Sequence, residues 1–234
     1  MGRSKRVDIG GCVYHVLNRG NGRMSLFDDD GDYLAFERVL EQAIERYPQM
    51  QLLAYCVMPN HWHLVVRPQT DGLLSRFVGW LTLTHTQRWH AHRHTIGGGH
   101  VYQGRFKSFL VDTEGYLATV CRYVERNPVR ANLVNRAEQW RWSSLYRWQN
   151  GSRDEKQILS PWPVPGGRRP PNWINRVNVP ETEDELNALR RSSNRCQPFG
   201  NLAWQQDMCQ RFDLQSTFRP RGRPRQQAKP KKGS

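Results

Sequence analysis

The sequence predicts an α+β fold of the ferredoxin-like, split βαβ class, with one further helix after a β-α-β-β-α-β core. Three observations favour this class. Short segments with alternating or continuous apolar residues are typical of strands. Longer segments with apolar residues three and four apart are typical of helices. The two kinds of segment follow one another along residues 1–150 in the order that this fold requires.

The first strand and the first helix are predicted near the start of this region. The segment 10–20, GGCVYHVLNRG, places apolar residues between Gly-rich ends, as a strand does. Three aspartates at 28–30 can cap the helix that follows, since a carboxylate accepts hydrogen bonds from the free backbone N–H groups of a first turn. That helix covers 33–47, YLAFERVLEQAIERY, and Pro48 ends it.

A β-hairpin is predicted next. Residues 51–58, QLLAYCVM, and residues 61–67, HWHLVVR, are both rich in apolar side chains. Only Pro59 and Asn60 separate them, and a connection of two residues joins antiparallel strands. The sequence therefore predicts that these two strands pair directly in the sheet.

The remainder of the core is predicted as helix, strand and helix. A helix covers 73–93, and the glycines at 97–99 follow its end. Residues 105–112, RFKSFLVD, are predicted as a strand. The third helix begins at residues 113–114 and runs to Asn127, because the proline at position 128 disfavours helical backbone in the residue before it.

The charge balance points to a polyanionic partner. The 234 residues include 35 Lys or Arg and 21 Asp or Glu, which gives a formal charge of +14 and a pI near 10.1. Nucleic acid is the first partner that such a charge suggests.

No apolar run is long enough to predict a membrane-spanning helix, and no secretory signal is predicted. The five cysteines are widely spaced without a CxxC pair, as expected for reduced thiols in a cytoplasmic protein.

Composition divides the chain into three parts. Residues 1–150 are predicted as the folded domain and contain 19 basic and 13 acidic residues, whereas residues 151–234 contain 16 basic and 8 acidic residues. Residues 151–218 are predicted as an irregular Pro/Gly-rich extension, in which 181–191 can form one short helix. Residues 219–234 are predicted as a disordered basic tail with seven basic residues and no acidic residue.

Two histidines on one predicted strand form a candidate metal site. Side chains two residues apart on a strand project from the same face, so His61 and His63 point one way and Trp62 points the other way. Two imidazoles at this spacing can hold one metal ion from a rigid sheet. Taken alone, the spacing is more typical of two unrelated surface histidines.

The third predicted helix adds a candidate nucleophile and a third ligand. Tyr123 and Asn127 lie four residues apart, on one helix face. The amide oxygen of Asn127 sits at the negative end of the helix dipole, and with two imidazoles it suits Mg²⁺ or Mn²⁺, although the imidazoles alone also suit zinc. Tyr123 either attacks a metal-polarised phosphate or packs on the sheet. Tyr116 lies on nearly the same face, but Val120 stands one turn after it where a ligand is needed.

Polar and basic residues near these candidates are predicted phosphate contacts, and each is equally explained as a solvated charge. They are Asn18, Arg19, Arg105, Lys107, Arg122, Arg126 and Arg130. Trp140 and Trp142 can stack on unpaired bases, but packing against a helix is the favoured interpretation. The histidine-rich segment 85–94 and His100 are predicted as a solvated helix face and loop, not as a second metal site.

Three segments resemble the REP-associated tyrosine transposases, which belong to the IS200/IS605-like single-tyrosine HUH nucleases. They are MPNHWHLVV (58–66), GHVYQGRFKS (99–108) and YVERNPVRANLV (123–134). The first contains the family's pattern of two histidines around a bulky apolar residue. The third contains its Tyr-x-x-x-Asn-Pro pattern. The resemblance extends over about residues 5–148, which is nearly all of the predicted folded domain.

The resemblance implies an endonuclease and strand transferase for single-stranded DNA at hairpins of repetitive extragenic palindromes. By position, Tyr123 attacks a phosphate, forms a 5′-phosphotyrosine and releases a 3′-hydroxyl, while His61, His63 and Asn127 hold Mg²⁺ or Mn²⁺. Such an adduct retains the bond energy, so no nucleotide cofactor is expected, and no membrane partner is expected either. The resemblance also implies a bacterial, cytoplasmic, nucleoid-associated protein that acts as a monomer or weak dimer.

Two other functions stay open at the level of the sequence. A hairpin-binding module that has lost its chemistry would have the same charge and aromatic content, although a binding protein has no need for His61, His63, Tyr123 and Asn127 together. A zinc hydrolase with water as its nucleophile is less favoured, because no HExxH motif is present and no carboxylate adjoins the histidines.

Overall fold

Four strands form an antiparallel sheet within residues 6–219, the part of the chain that the computed structural model describes. The strands are β1 (Val13–Arg19), β2 (Met50–Met58), β3 (His61–Pro68) and β4 (Lys107–Val111). Their lateral order is β2-β3-β1-β4, so β3 lies between β1 and β2. Each pairing is antiparallel. The predicted antiparallel sheet and the predicted order of its strands and helices are therefore confirmed.

Helices lie between and after these strands. They are α1 (Asp30–Arg46), α2 (Leu73–His92), α3 (Leu117–Glu125), α4 (Asn127–Arg130), α5 (Ser144–Asn150), α6 (Arg153–Lys156), α7 (Trp173–Asn178), α8 (Glu183–Arg195) and α9 (Leu202–Phe212). As predicted, an aspartate caps α1, since the carboxylate of Asp29 accepts the backbone N–H of Asp32 at 3.0 Å. Within the described residues, no helix is long and apolar enough to cross a bilayer.

The start of α3 differs from the prediction. The helix was predicted from residues 113–114 and begins at Leu117. The carboxylate of Asp112 accepts the backbone N–H of Glu114 at 3.0 Å, and Gly115 has a φ of +85°. Both features belong to a turn, because a side chain that satisfies a nearby N–H competes with helix formation and a positive φ is not helical.

The end of α3 also corrects the prediction. The helix ends at Glu125, and Asn127 begins the short helix α4. Pro128 has no N–H to donate to the carbonyl of Val124, so the helical hydrogen bonds are interrupted there. Asn127 is therefore the first residue of a second helical segment. The expectation that it closes a helix, and profits from the negative end of that helix, was wrong.

The sheet separates two hydrophobic cores. Alternate side chains of the strands face α1 and α2, and the core on that side surrounds Trp62, Phe36 and Phe77, all of which are fully buried. The other side chains face α3, where Val65 of β3 packs in one cluster with Val120. Because neighbouring residues of a strand point to opposite sides, each strand contributes to both cores.

The extension, residues 151–219, packs on both faces of this sheet. Trp162, Trp173 and Leu189 are buried in the core on the α3 side. Met208 belongs to the core on the other side. The described residues after position 150 therefore share their hydrophobic cores with the strands.

The extension is also more regular than predicted. The sequence predicted one short helix at 181–191, whereas α6, α7, α8 and α9 all lie in this region, and α8 overlaps the predicted segment but begins at Glu183. Thr182 caps α8 through a reciprocal pair of hydrogen bonds with Glu185. The Pro/Gly-rich stretch 161–172 has no helix or strand, as predicted. Of the predicted basic tail, residues 220–234 lie outside the described part of the chain.

Candidate active site

His61 and His63 lie on the interior strand β3 and face the side of the sheet that α3 covers. In the sheet, His61 is opposite Arg19 of β1 and His63 is opposite Leu17. The centroids of the two imidazole rings are 4.9 Å apart. Trp62 between them is fully buried in the opposite core. The alternation that the sequence predicted for this strand therefore brings both imidazoles to one side.

One nitrogen of each imidazole is already engaged. The Nδ1–H of His61 donates to Oδ1 of Asn60 at 2.7 Å. Nδ1 of His63 lies at hydrogen-bond distance, 2.8 Å, from Nε2 of His15. With the proton on Nδ1, each of the two rings keeps the lone pair of Nε2 for a ligand, which is the usual arrangement of a metal-binding histidine and its partner.

His15 is a part of the site that the sequence did not predict. It lies on β1, is 1% exposed, and its ring centroid is 5.0 Å from that of His63 and 4.7 Å from that of Phe109. A buried partner at this position fixes the orientation of the His63 ring. The sequence could place His15 on a strand, but only the register between β1 and β3 brings it beside His63.

Burial holds these imidazoles in their neutral form. Desolvation lowers the pKa of His15 to about 3, with a smaller effect from His61. Desolvation, together with the charges of Arg19 and Arg130, lowers the pKa of His61 to about 3. The pKa of His63 is also lowered well below its usual value, mainly by burial. A metal ion binds the neutral ring, so the two histidines are ready to act as ligands at neutral pH.

Tyr123 of α3 faces His63 and its partner His15. Its ring centroid lies 6.0 Å from that of His63 and 6.3 Å from that of His15. The guanidinium carbon of Arg130 lies 4.2 Å from the centre of the tyrosine ring, and the same arginine donates to the backbone carbonyl of Tyr123 at 3.3 Å. The hydroxyl of Tyr123 makes no hydrogen bond to any described residue. The ring is thus held from one side while its oxygen stays available.

The competing tyrosine has a different environment. Tyr116 packs edge-on against Phe199 of the extension, with 5.5 Å between the ring centroids. It does not line the cleft that contains the histidines, whereas Tyr123 does. The geometry therefore favours Tyr123 over Tyr116 as the residue that can reach a molecule bound beside His61 and His63.

Asn127 completes a donor set that fits a divalent metal ion. Its side chain is 8% exposed, lines the same cleft and has no hydrogen-bond partner among residues 6–219. No three His, Cys, Asp or Glu side chains in the described chain are grouped to hold a metal. The amide oxygen of Asn127, which lines the same cleft, is the candidate for a third protein ligand beside His61 and His63. Two neutral imidazoles and an oxygen donor suit Mn²⁺ or Mg²⁺ and leave positions for phosphate oxygens and water.

These residues open into a cationic cleft with a volume of about 750 Å³. Its described lining contains seven Lys or Arg residues and no Asp or Glu. Of the predicted phosphate contacts, the cleft is lined by Asn18, Arg19, Arg105, Lys107 and Arg130. Arg105 was predicted on the same strand face as Lys107, but β4 begins at Lys107 and Arg105 precedes it. A cleft of this charge and size suits a polyanionic strand.

The two other predicted phosphate contacts lie elsewhere. Arg122 pairs with Glu185 of α8 at 2.6 Å, and Arg126 pairs with Glu181 at 3.4 Å. Neither arginine lines the cleft. Both connect the tyrosine helix to the extension, and positive charge in the sequence gave no indication of acidic partners more than fifty residues away.

The extension supplies part of the cleft that the sequence did not predict. Its lining residues are Arg190, Ser193, Asn194, Arg195, Cys196, Leu214 and Thr217. No motif or periodicity in the sequence indicated that α8 and the segment after α9 would lie opposite the histidines.

Trp142 and His85 belong to the opposite core. Trp142 is buried and stacks on Tyr33 at 4.9 Å between ring centroids, so the favoured interpretation of packing is confirmed. His85 is 4% exposed and accepts the hydroxyl proton of Tyr102 at 2.8 Å, since that hydroxyl itself accepts the indole N–H of Trp62. The expectation of a fully solvated histidine face was therefore wrong for His85.

Comparisons with known proteins place the site in context. Residues 8–127, about half of the chain, match the family model described as "Transposase IS200 like". A Haemophilus influenzae protein provisionally named REP-associated tyrosine transposase is 26% identical over 125 residues, which cover 50% of this chain and 70% of the relative. The solved structure of a REP-associated tyrosine transposase bound to a REP hairpin is 19% identical, with a TM-score of 0.53 over 64% of this chain and 87% of that chain.

Proposed function

Because this chain belongs to the IS200-like transposase family, we propose that it is a metal-dependent endonuclease and strand transferase for single-stranded DNA, with Tyr123 as its nucleophile. One observation carries this proposal. Tyr123, the two histidines and Asn127 line one cationic cleft, and their ligand atoms and hydroxyl have no other partner among the described residues. A nucleophile beside a candidate metal site is the minimum that phosphodiester transfer requires.

The proposed reaction is a transesterification at phosphorus. The hydroxyl oxygen of Tyr123 forms a bond to phosphorus, and the bond between phosphorus and the 3′ oxygen breaks. The tyrosine then carries the 5′ phosphate. The tyrosine hydroxyl loses one proton and the departing 3′ oxygen gains one, so atoms and charge balance. Rejoining is the reverse attack by a 3′-hydroxyl, and it consumes no nucleotide.

The side chains around the tyrosine have separate tasks in this proposal. A divalent ion, Mg²⁺ or Mn²⁺, held by His61, His63 and Asn127 would supply a Lewis acid for the scissile phosphate. Arg130 keeps the ring of Tyr123 in place from a distance of 4.2 Å. Arg130 also lines the cleft, and a fixed positive charge beside a reacting phosphate would stabilise the transition state.

Hairpin DNA is the proposed substrate. The solved relative contains a REP hairpin, and the cleft of this chain carries the cations that a DNA backbone needs. Asn18, Arg19, Arg105 and Lys107 are proposed to contact phosphates, which position a nucleic acid without reading its sequence. One chain has one nucleophile of this kind, so a monomer can cut and rejoin a strand. Exchange between two strands needs a second chain or a second event.

A covalent-capture assay tests the enzyme against the binding module. Protein is mixed with single-stranded hairpin DNA labelled on either side of the cut, with Mn²⁺ or EDTA, and separated on a denaturing gel. We expect a metal-dependent adduct that keeps the label 3′ of the cut. Tyr123→Phe should bind the same hairpin and form no adduct, because the phenol oxygen is missing.

Tyr116→Phe is the matched control, since this tyrosine lies seven residues earlier and outside the cleft. It should form the adduct at the wild-type level. An adduct that persists in Tyr123→Phe would refute the assignment of the nucleophile. Binding without any adduct in the wild-type protein, across hairpins and both metals, would favour the binding module instead.

A further inference from the structure

We propose that helix α8 of the extension is a second DNA-binding surface of the cleft, which holds the backbone of single-stranded DNA next to the phosphate that Tyr123 attacks. The inference rests on the proposed function and adds a surface to it. We call this surface the α8 wall, and it consists of Arg190, Ser193, Asn194, Arg195 and Cys196. The whole wall lies outside residues 8–127, which match the family model.

The α8 wall lies at the C-terminal end of α8. Arg190, Ser193 and Asn194 are three and four residues apart, so they share a face. Leu186 and Leu189, one turn earlier in α8, are buried, Leu189 completely. Their burial fixes α8 against the core, and the polar residues of the following turn line the cleft.

Ion pairs attach the start of α8 to the tyrosine helix. Glu185 accepts a hydrogen bond from Arg122 at 2.6 Å. Glu181, whose side chain is fully buried, accepts from Arg126 at 3.4 Å and from Arg130 at 3.3 Å. Arg130 is the residue that lies on the ring of Tyr123. Arg130 therefore connects the two, because it pairs with Glu181 at the start of α8 and contacts the ring of Tyr123.

The end of α8 is attached to the sheet. The backbone N–H of Phe199 donates to the carbonyl of Leu110 in β4 at 2.8 Å, and the N–H of Asp112 donates to the carbonyl of Phe199 at 2.9 Å. The segment after α8 thus continues the edge of the sheet beside β4. With both ends fixed, the wall is a built part of the cleft and lies in it together with Lys107 of β4.

The chemistry of the wall fits a phosphodiester backbone. Arg190 is exposed and has no ion-pair partner among the described residues. Arg195 is oriented by a hydrogen bond from its Nε to the carbonyl of Thr217 at 2.8 Å, and no carboxylate neutralises it within residues 6–219. The wall contains no aromatic ring on which a base could stack. Arginines without acidic neighbours bind phosphate oxygens through paired N–H groups.

Two adjacent arginines provide the test. Arg190 and Arg191 are both exposed residues of α8, but only Arg190 lines the cleft. We would measure the Kd for an oligothymidine strand in Arg190→Ala and Arg191→Ala, each made in the Tyr123→Phe protein so that cleavage does not interfere. Removal of a hydrogen bond to a charged group predicts that Arg190→Ala raises Kd about tenfold. The slope of log K against log salt should fall by about 0.7, the value for one phosphate contact of a single strand.

Arg191→Ala should change Kd by less than about twofold, as expected for a surface charge away from the bound strand. Equal losses in the two variants, or no loss in Arg190→Ala, would overturn the proposal. The comparison is independent of catalysis. An effect of Arg190 without any tyrosine adduct in the wild-type protein would retain the wall and refute the nuclease. An adduct with no difference between the arginines would retain the nuclease and refute the wall.

Cys196 gives a second, positional readout. It is a free cysteine at the end of α8 and lines the cleft. An oligothymidine strand with a disulfide-activated tether on one phosphate should form a disulfide with Cys196 and lose this product in Cys196→Ser. Crosslinks only at the other cysteines would contradict a strand that lies along α8.

Discussion

The region that matches the family and the extension after it reach their structures in different ways. In residues 8–127, strands and helices follow from local apolar patterns, and this region contains Tyr123 and both histidines. In residues 151–219, the helices are short or polar, and long-range contacts place them. The first region provides the proposed chemistry, and the second completes the cleft around it. The residues that carry a family's proposed chemistry can therefore be predicted from a sequence even when the surface that contacts the substrate cannot.

Two buried carboxylates join the regions. Glu125 of α3 is fully buried and accepts from Arg169 and from the indole of Trp173, each at 2.7 Å. Glu181 of the extension accepts from Arg126 of the first region and from Arg130, which lies just after that region. Each joint buries a charge with its partners, and removal of one partner from such a pair is strongly destabilising. The comparison between the regions can be tested through these joints and through the site itself.

The largest effect is expected at the metal ligands of the first region. In His63→Ala, the covalent adduct should fall about a thousandfold, because loss of the Lewis acid removes several kcal/mol of transition-state stabilisation. Adduct formation with Mn²⁺ on the labelled hairpin measures this loss. His92→Ala is the control, since His92 is exposed at the end of α2 and does not line the cleft. Comparable adduct from the two variants would mean that the metal site lies elsewhere.

The joint at Glu181 should have the next largest effect. Glu181→Ala leaves Arg126 and Arg130 without their buried carboxylate, and we expect a loss of about 3–5 kcal/mol in the free energy of unfolding. Urea unfolding followed by tryptophan fluorescence measures it. Glu183→Ala, at an exposed position in the first turn of α8, should cost less than about 1 kcal/mol. A loss as small in Glu181→Ala would show that this joint does not stabilise the fold.

The features that could be predicted from the sequence lie mainly in the first region. The alternation in His61-Trp62-His63 fixed which side chains share a face, and the two residues between the apolar runs fixed the hairpin, so both features of β2 and β3 were predictable. Pro128 located the end of α3 to within two residues. Each of these signals acts between neighbours in the chain.

Contacts between residues that are far apart in the sequence could not be predicted from these local signals. His15 contacts His63 only because β1 pairs with β3, forty-eight residues away. Arg122 was predicted from the sequence to contact phosphate, but in the fold it pairs with Glu185. In both cases the residue type was compatible with several partners, and only the packed structure selects one. The same holds for Arg190, whose place in the cleft follows from the burial of α8.

His15 allows a finer test of the first region. His15→Leu removes the partner of Nδ1 of His63, and loss of such a partner weakens metal binding about 10- to 100-fold. Mn²⁺ titration by calorimetry measures the affinity without DNA. His15→Gln, which can again accept the Nδ1–H of His63, should restore part of the affinity. Equal Mn²⁺ affinity in His15→Leu and the wild-type protein would exclude a positioning role.

The smallest effect concerns the pH dependence of stability, which we assign to the first region. Burial lowers the pKa of His85 to about 4, with opposing smaller effects from Asp32 and Arg93. In the unfolded chain the imidazole takes up a proton below about pH 6.5. At His85 the unfolded state therefore binds more protons between pH 6.5 and pH 4. This residue alone lowers the free energy of unfolding by about 1.4 kcal/mol per pH unit as the pH falls through this interval, in addition to the losses from the other buried histidines.

His85→Gln removes this proton uptake and keeps an acceptor for the hydroxyl of Tyr102. Urea unfolding gives the free energy of unfolding of each protein, expressed relative to its value at pH 7.5. Between pH 6.5 and pH 4 this free energy should decline less steeply for His85→Gln than for the wild-type protein. The difference should be unchanged when Glu181→Ala is added, because His85 lies in the core on the side of α1 and α2, across the sheet from the Glu181 joint. Parallel declines in the two proteins would show that His85 does not set this pH dependence. A difference that vanishes with Glu181→Ala would show that the two faces of the sheet are coupled.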